Sequence, residues 1–387
     1  MRIIFDAENI ANARTGIPKV SFLDAIVFNE LGAQVELHVS EKSMSTLIKS
    51  AEFSQLSMLY AKRFGSNLQI NSNRPSNSHI WKSRFYPHLR KKNLSNFDFS
   101  YTSLFPGLYN SVKDCTNIVR IHDPFRNRKT LLEEYRDATC WKNTFARVMR
   151  DRAFQSKLKD HSLVVANSFW TRRLCVEFYG LEESSIEVVW PSVGFRSEQI
   201  AERDSCHDTI PYLICVMSQR QRKKPVFVIN AWAKVASRVG LHLRVVGNIN
   251  YNDLSTLALK KIELGELVIY RNVNVEELKK LQRNAYASIF ASTGEGFGLP
   301  IAESLFFGVP VLHNDLEVFR EVSSGIGVEF SLAKEDSLIE GIESIAQSEE
   351  SKLNLAKLSL ERGSSFSHEF AISKWRKLLV NESKREM

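Results

Sequence analysis

Two carboxylates, Glu295 and Glu303, bracket a glycine-rich run in ASTGEGFGLPIAE (291–303). Gly294, Gly296 and Gly298 let backbone N–H groups approach a ligand closely. A helix opening near Pro300, where proline is tolerated, turns its N-terminus toward an anion. Glu295 is expected in the loop and Glu303 in the first helical turn, both facing one cleft. Acids beside a phosphate-binding turn suit a ligand that joins phosphate to sugar or ribose. The run is not the dinucleotide fingerprint, because Leu299 stands where a third glycine is required, and no G-K-[ST] follows as in a Walker loop. The same residues also make a tight glycine turn with a helix-start glutamate, a common arrangement.

Arg222 and Lys223 stand in RQRKK (220–224), ahead of an apolar run with helical spacing. They suit a phosphate group, and equally a solvated charge run. His122 ends a strand in NIVRIHD (117–123), where it can face a ligand or simply pack or cap. No D-x-D motif occurs, so no metal is expected on the phosphates. Five cysteines, Cys115, Cys140, Cys175, Cys206 and Cys215, are scattered without a C-x-x-C pair. This gives no disulfide framework or zinc site and suits free thiols in a reducing cytoplasm.

The elements that must position these groups follow an α/β rhythm. RIIFD, QVELHV, NIVRIHD, SLVVANS and IEVVWP read as strands of the first half, with helices over VSFLDAIVFNELG and TRRLCVEFYG and a charged helical pattern over 128–158. Residues 62–96, rich in Asn, Ser, Arg and Lys, read as a long irregular segment. A polar linker is placed at 192–210. The second half repeats the rhythm, with strands PYLICVM, LHLRVVG, LVIY, YASIFAS and VPVLH alternating with helices, and a last helix at 368–381. Two doubly wound α/β domains facing across a cleft follow, with ligands outside the carboxyl ends of the strands.

The chain has 387 residues, 43% apolar and 25% charged, which favours two domains with large cores and excludes general disorder. No run approaches a membrane span, and MRIIFDAENIANARTG lacks the pattern of a signal peptide. The net charge of +8 lies wholly in the first half: residues 1–195 hold 27 Lys and Arg against 19 Asp and Glu, and the second half holds 25 of each. An anionic partner is expected there. In WKSRFYPHLRKK (81–92) aromatics and cations interleave, which suits a membrane interface, a lipid-linked pyrophosphate, single-stranded nucleic acid or a solvated basic loop.

At E-G-F-G-L-P-x-x-E, spanning Glu295 to Glu303, the chain resembles the GT-B glycosyltransferases of the large retaining family 4. GVPVLHNDLEVFREV continues in that family's style, and VMSQRQRKKPVFVINAW places Arg222 and Lys223 on its Arg-Lys pair. LRVVG, VNVEELKKLQRNA, VVANSFWTRR, IEVVWPSV, ARTGIP, RIHD and FSHEFAISKW resemble further family segments in the same order. The likeness covers nearly the whole chain and is densest from 162 to 322. The chain departs from the family at Met217, Lys224, His313 and HDPFRNRK.

The resemblance implies a GT-B fold: an acceptor-binding domain at 1–195, a nucleotide-sugar domain at 196–365 and a helix at 366–387 crossing back to the first domain. It implies a metal-independent, retaining hexosyltransferase without a cofactor, cytoplasmic and near the inner face of the membrane. Mannose from GDP-mannose is the first expectation, passed to a lipid-linked glycan of a bacterial surface polysaccharide. Arg222, Lys223 and the Gly16 turn would hold the donor diphosphate. The backbone of Gly296, Phe297, Gly298 and Leu299 would meet donor sugar and phosphate, Glu303 the ribose, and Glu295 and His122 the reacting sugar. The other reading is a non-catalytic GT-B scaffold; a nucleic-acid partner has no motif behind it.

Overall fold

The computed structural model describes residues 1–7, 10, 16–39, 41–71, 97–103, 115–122, 158, 162–199, 210–217 and 222–385. The basic stretch 81–92, nearly all of 128–158 and residues 200–209 of the linker reading lie outside them. The chain divides into two compact units, Met1–Ser192 with Ala371–Met387, and Val193–Phe370.

In the first unit the strands are β1 (Arg2–Asp6), β2 (Gln34–His38), β3 (Gln69–Asn71), β4 (Phe99–Thr102), β5 (Thr116–Ile121), β6 (Ser162–Ala166) and β7 (Ile186–Val188). They form one parallel sheet in the order β3-β2-β1-β4-β5-β6-β7. The helices are α1 (Gly16–Glu30), α2 (Glu41–Ile48), α3 (Ala51–Phe64) and α4 (Phe169–Tyr179). Ser50 and Ser168 cap α3 and α4, accepting from Phe53 N and Thr171 N, and Gly65 and Gly180 end them. Of the segment read as irregular, 62–64 end α3 and 69–71 form the edge strand β3, while 72–96 lie outside the described residues. An edge strand buries little, so Gln69-Ile70-Asn71 carries no apolar signal.

The second unit holds β8 (Tyr212–Val216), β9 (His242–Val246), β10 (Leu267–Tyr270), β11 (Ala287–Phe290), β12 (Val311–Asn314) and β13 (Val328–Phe330). Its order is β10-β9-β8-β11-β12-β13, again all parallel. Its helices are α5 (Pro225–Val239), α6 (Thr256–Glu263), α7 (Val275–Arg283), α8 (Leu299–Phe306), α9 (Glu317–Ser323), α10 (Glu335–Gln347) and α11 (Glu349–Gly363). The core forms around Trp232, Val245, Ile289 and Leu312, all fully buried. In each sheet the strand order reverses beside the first strand, between β1 and β4 and between β8 and β11. The carboxyl ends at such a reversal form the crevice where open α/β sheets take ligands.

The last helix, α12 (His368–Arg385), begins in the second unit and ends in the first. Ala371, Trp375, Leu378 and Leu379 join the first unit's core, so the chain crosses back as the sequence reading expects. The unit boundaries fall at Ser192/Val193 and Phe370/Ala371, against 195/196 and 365/366 from the sequence. Local contacts explain the difference. Val193 N donates to Phe366 O at 3.0 Å, His368 N donates to Phe195 O at 2.9 Å, and the Phe195 ring lies 5.1 Å from that of Phe307.

Candidate active site

The reversal between β8 and β11 gathers the charged groups of the second unit. The backbone of 222–224 runs antiparallel beside 291–293: Lys224 N donates to Ala291 O at 3.1 Å, Thr293 N donates to Arg222 O at 2.9 Å, and Lys223 bridges Ser292. This pairing fixes Arg222 and Lys223 against the loop that carries Glu295. Lys223 Nζ lies 2.6 Å from Glu295 Oε1, and an Arg222 guanidinium nitrogen 3.6 Å from Oε2. Both cations immediately precede α5, which has Pro225 in its first turn, so the positive end of that helix adds to their field.

Ser292 organises the loop. Its hydroxyl donates to Glu295 Oε1 at 2.9 Å, and its backbone N–H donates to Asn314 Oδ1 at 2.8 Å. Asn314 ends β12, the strand next to β11. Gly298, at φ +102, is the residue from which α8 opens, and a Cβ there would meet the Phe319 ring at 3.1 Å. Only glycine fits that backbone and that space. The Phe297 ring is buried edge-on against Phe366, 5.7 Å between centroids, so the backbone of Phe297, not its ring, belongs to the loop surface. A small pocket opens here, lined by Met217, Lys223, Ser292, Gly298 and Phe319 among others.

Leu299 opens α8 and Glu303 sits in its second turn, one turn later than expected from the sequence. Glu303 is buried, and its Oε2 accepts from Gln282 Nε2 at 3.0 Å, an amide carried by α7. The helix itself is pinned from behind. A Cβ at Gly363 would come within 2.4 Å of the Leu305 carbonyl oxygen, so glycine there lets α11 press against the backbone of α8.

His122 and Gly16 belong to the first unit, the other sequence-predicted site residues to the second. Gly16, at φ +61 and exposed, opens α1 rather than standing in a turn ahead of it. His122 follows β5. Its carbonyl accepts from Asn167 Nδ2 at 3.0 Å, and its Nε2 is buried with no hydrogen-bond partner among the described residues. Burial, and then the nearby Arg120 charge, hold its imidazole well below the ordinary range. It is a neutral hydrogen-bonding group at neutral pH and not a counter-charge for phosphate.

His313 is also buried, between Asn314 O at 3.1 Å and Ser323 Oγ at 3.0 Å, and burial lowers its imidazole. For a base whose folded pKa is depressed, the unfolded chain takes up protons first. Stability from these two groups is complete above about pH 6.5 and lost as pH falls, by up to roughly 1.4 kcal/mol per pH unit for each. Urea unfolding at pH 7.5 and 5.5 should show that loss, and His313→Gln should remove its share and leave that of His122. A midpoint independent of pH over that window would mean the imidazoles charge freely in the fold.

Sequence reasoning did not find Ser292, Asn314 or Gln282. Ser292 stood inside the glycine-rich run without a role of its own. Asn314 and Gln282 reach the site only through contacts distant in the chain. Among the described residues, no group of three or more His, Cys, Asp or Glu could hold a metal ion. No helix among them is long and apolar enough to cross a membrane.

Residues 198–361 match the family model described as glycosyl transferases group 1. That stretch, less than half of the chain, is similar to a group 1 glycosyltransferase domain. Arg222, Lys223, Glu295 and Glu303 all fall inside it. The O-antigen chain mannosyltransferase RfbU of Salmonella typhimurium is 28% identical over 161 residues, 41% of this chain and 44% of that protein. The match thus spans less than half of that relative. The serotype-specific mannosyltransferase WbdA of Escherichia coli is 43% identical over 53 residues, 14% of this chain and 6% of its own. The crystal structure of Anabaena HepE in complex with UDP and glucose superposes with a TM-score of 0.66 at 13% identity, covering 98% of this chain and 100% of that one. At that identity the likeness shows the fold, and the fold around the group 1 domain is GT-B.

Proposed function

We propose that the protein is a retaining hexosyltransferase that needs no metal and builds a bacterial surface polysaccharide, O-antigen or capsule, on a lipid-linked acceptor. GDP-mannose is the first candidate donor; the names of RfbU and WbdA, both mannosyltransferases, support the mannose. The observation that carries the reading is the Lys223–Glu295–Arg222 cluster at the strand reversal of a group 1 domain.

Breaking the bond between the sugar and a nucleoside diphosphate moves negative charge onto the leaving β-phosphate. Lys223 and Arg222, fixed by the 222–224 backbone, would meet that charge in a preorganised field. Loop backbone at 296–298 would add N–H donors. Glu295 would accept from donor-sugar hydroxyls and Glu303 from the ribose. His122, neutral and with a buried Nε2, would hydrogen-bond the sugar. The acceptor hydroxyl would attack the face from which the diphosphate departs, passing its proton to a leaving phosphate oxygen, which preserves the anomeric configuration. The basic first half would carry the acceptor at the inner face of the membrane.

Thermal unfolding against GDP, UDP, ADP, TDP and CMP tests the donor site. One diphosphate should raise stability by about 2.7 kcal/mol at a hundred times its dissociation constant. The matching sugar nucleotide should then support transfer in the presence of EDTA, with the anomer read by NMR. No shift with any of the five would favour a scaffold that kept the fold without the chemistry.

A further inference from the structure

The two cations assigned to the donor diphosphate already have an anion of the chain's own. Glu295 lies on Lys223 at 2.6 Å and near Arg222 at 3.6 Å, and all three side chains are largely withdrawn from water, 16%, 19% and 9% exposed for Lys223, Arg222 and Glu295. An ion pair so placed is screened far less than a surface pair. It is also built rather than casual. The oxygen that meets Lys223, Oε1, also accepts from the Ser292 hydroxyl at 2.9 Å. Ser292 is in turn bridged to Lys223 through the backbone and tied to Asn314 at 2.8 Å. Carboxylate, lysine and serine are thus held by the same short stretch of paired backbone.

A phosphate oxygen that takes Lys223 at hydrogen-bond distance must share that ammonium with Glu295 Oε1 or drive it off. Sharing puts two anionic oxygens around one nitrogen with little water to separate them, which is costly in a low-dielectric setting. We propose that Glu295 is the resident counter-ion of the diphosphate site, seated by Ser292, and that a diphosphate displaces it on binding. The displaced carboxylate is then released to the donor-sugar hydroxyls, and its return to Lys223 competes off the diphosphate product. The inference rests on the reading of Arg222 and Lys223 as the donor-phosphate cations.

Titration calorimetry of the full chain with inorganic pyrophosphate, and separately with GDP, tests it in four proteins: wild type, Glu295→Gln, Ser292→Ala and Lys223→Ala. Glu295→Gln keeps the shape and the Ser292 hydrogen bond but removes the charge. It should bind both probes about ten-fold or more tighter than wild type, while Lys223→Ala loses them. Ser292→Ala, which leaves every charge in place, should tighten binding by a smaller factor, and Ser292→Thr should restore the wild-type value. Circular dichroism confirms that each variant is folded. Equal affinity in wild type and Glu295→Gln, with binding lost in Lys223→Ala, would overturn the counter-ion role and leave the donor site standing. Undiminished binding in Lys223→Ala would remove the donor-site reading and this inference with it, as would failure of every variant to bind either probe. Should Glu295→Gln not fold, unchanged affinity in a folded Ser292→Ala decides against the seat.

Discussion

Lys223→Ala is expected to lower turnover by about 10²–10³-fold with the protein still folded, the loss typical of removing one preorganised electrostatic donor at a developing oxyanion. The ammonium is the closest charge to Glu295 at 2.6 Å, and it lies at the strand reversal where phosphate is proposed to bind. Its loss leaves the carboxylate with Arg222 at 3.6 Å, so the fold retains a counter-charge while the leaving phosphate loses its nearer one. Lys223→Arg keeps the charge on a planar fork that does not reproduce a point donor. Donor affinity should therefore recover more than kcat. Steady-state kinetics with the matched sugar nucleotide, beside circular dichroism and thermal unfolding, separate the two effects. Turnover of Lys223→Ala within ten-fold of wild type would show that the leaving group is stabilised elsewhere.

The parts of this site that were legible in the sequence are those whose determinants are local. Glycine at 298 is demanded by its own backbone angle, and Pro300 marks the helix start one residue away. The strands of the second unit were legible because parallel strands are buried on both faces and read as apolar runs such as LICV in β8. β3 and β13 were not: each is an edge strand of three residues, too few for a period to show, whereas the equally short β7 lies in the longer apolar run IEVVW. α2 and α3 follow one another with only two residues between them and bury narrow faces. Long-range partners were invisible for a different reason. Nothing near Glu303 announces Gln282, and nothing near Ser292 announces Asn314, because each pair meets only through the stacking order of strands and helices. Glu303 falls just past the first turn because the helix opens at Leu299, one residue before Pro300. The unusual His313 and Asn314 are two sides of one local solution. His313 is braced on Ser323 and crowds Gly327, where a Cβ would lie 2.7 Å from the ring, and Asn314 is left to hold Ser292.

The largest effect on stability is expected from Asp24, in the middle of α1. Its carboxylate is buried and meets one Arg120 guanidinium nitrogen at 2.6 Å through both oxygens. It also accepts from the Tyr101 hydroxyl and, at 3.2 Å, from Trp375 Nε1 on α12. Arg120 is wholly buried within β5, with its other terminal nitrogen donating to Val189 O at 2.7 Å. One carboxylate therefore joins the first helix, two central strands and the last helix, which arrives 351 residues later in the chain. Asp24→Asn removes the carboxylate that pairs with that guanidinium and strands a cation in the core, a change that costs about 3–5 kcal/mol. In a unit of this size the melting transition should fall by roughly 6–20 °C. The buried pair need not be stabilising relative to a well-packed apolar core, so the double variant Asp24→Leu with Arg120→Met should recover most of what either single change loses. Differential scanning calorimetry of Asp24→Asn, Asp24→Leu, Arg120→Met and the double variant measures both effects. Hydrogen exchange should place the loss in the first unit and α12, with the second unit protected as in wild type. A single-variant cost under about 1 kcal/mol would mean that Arg120 finds another partner as readily as Asp24.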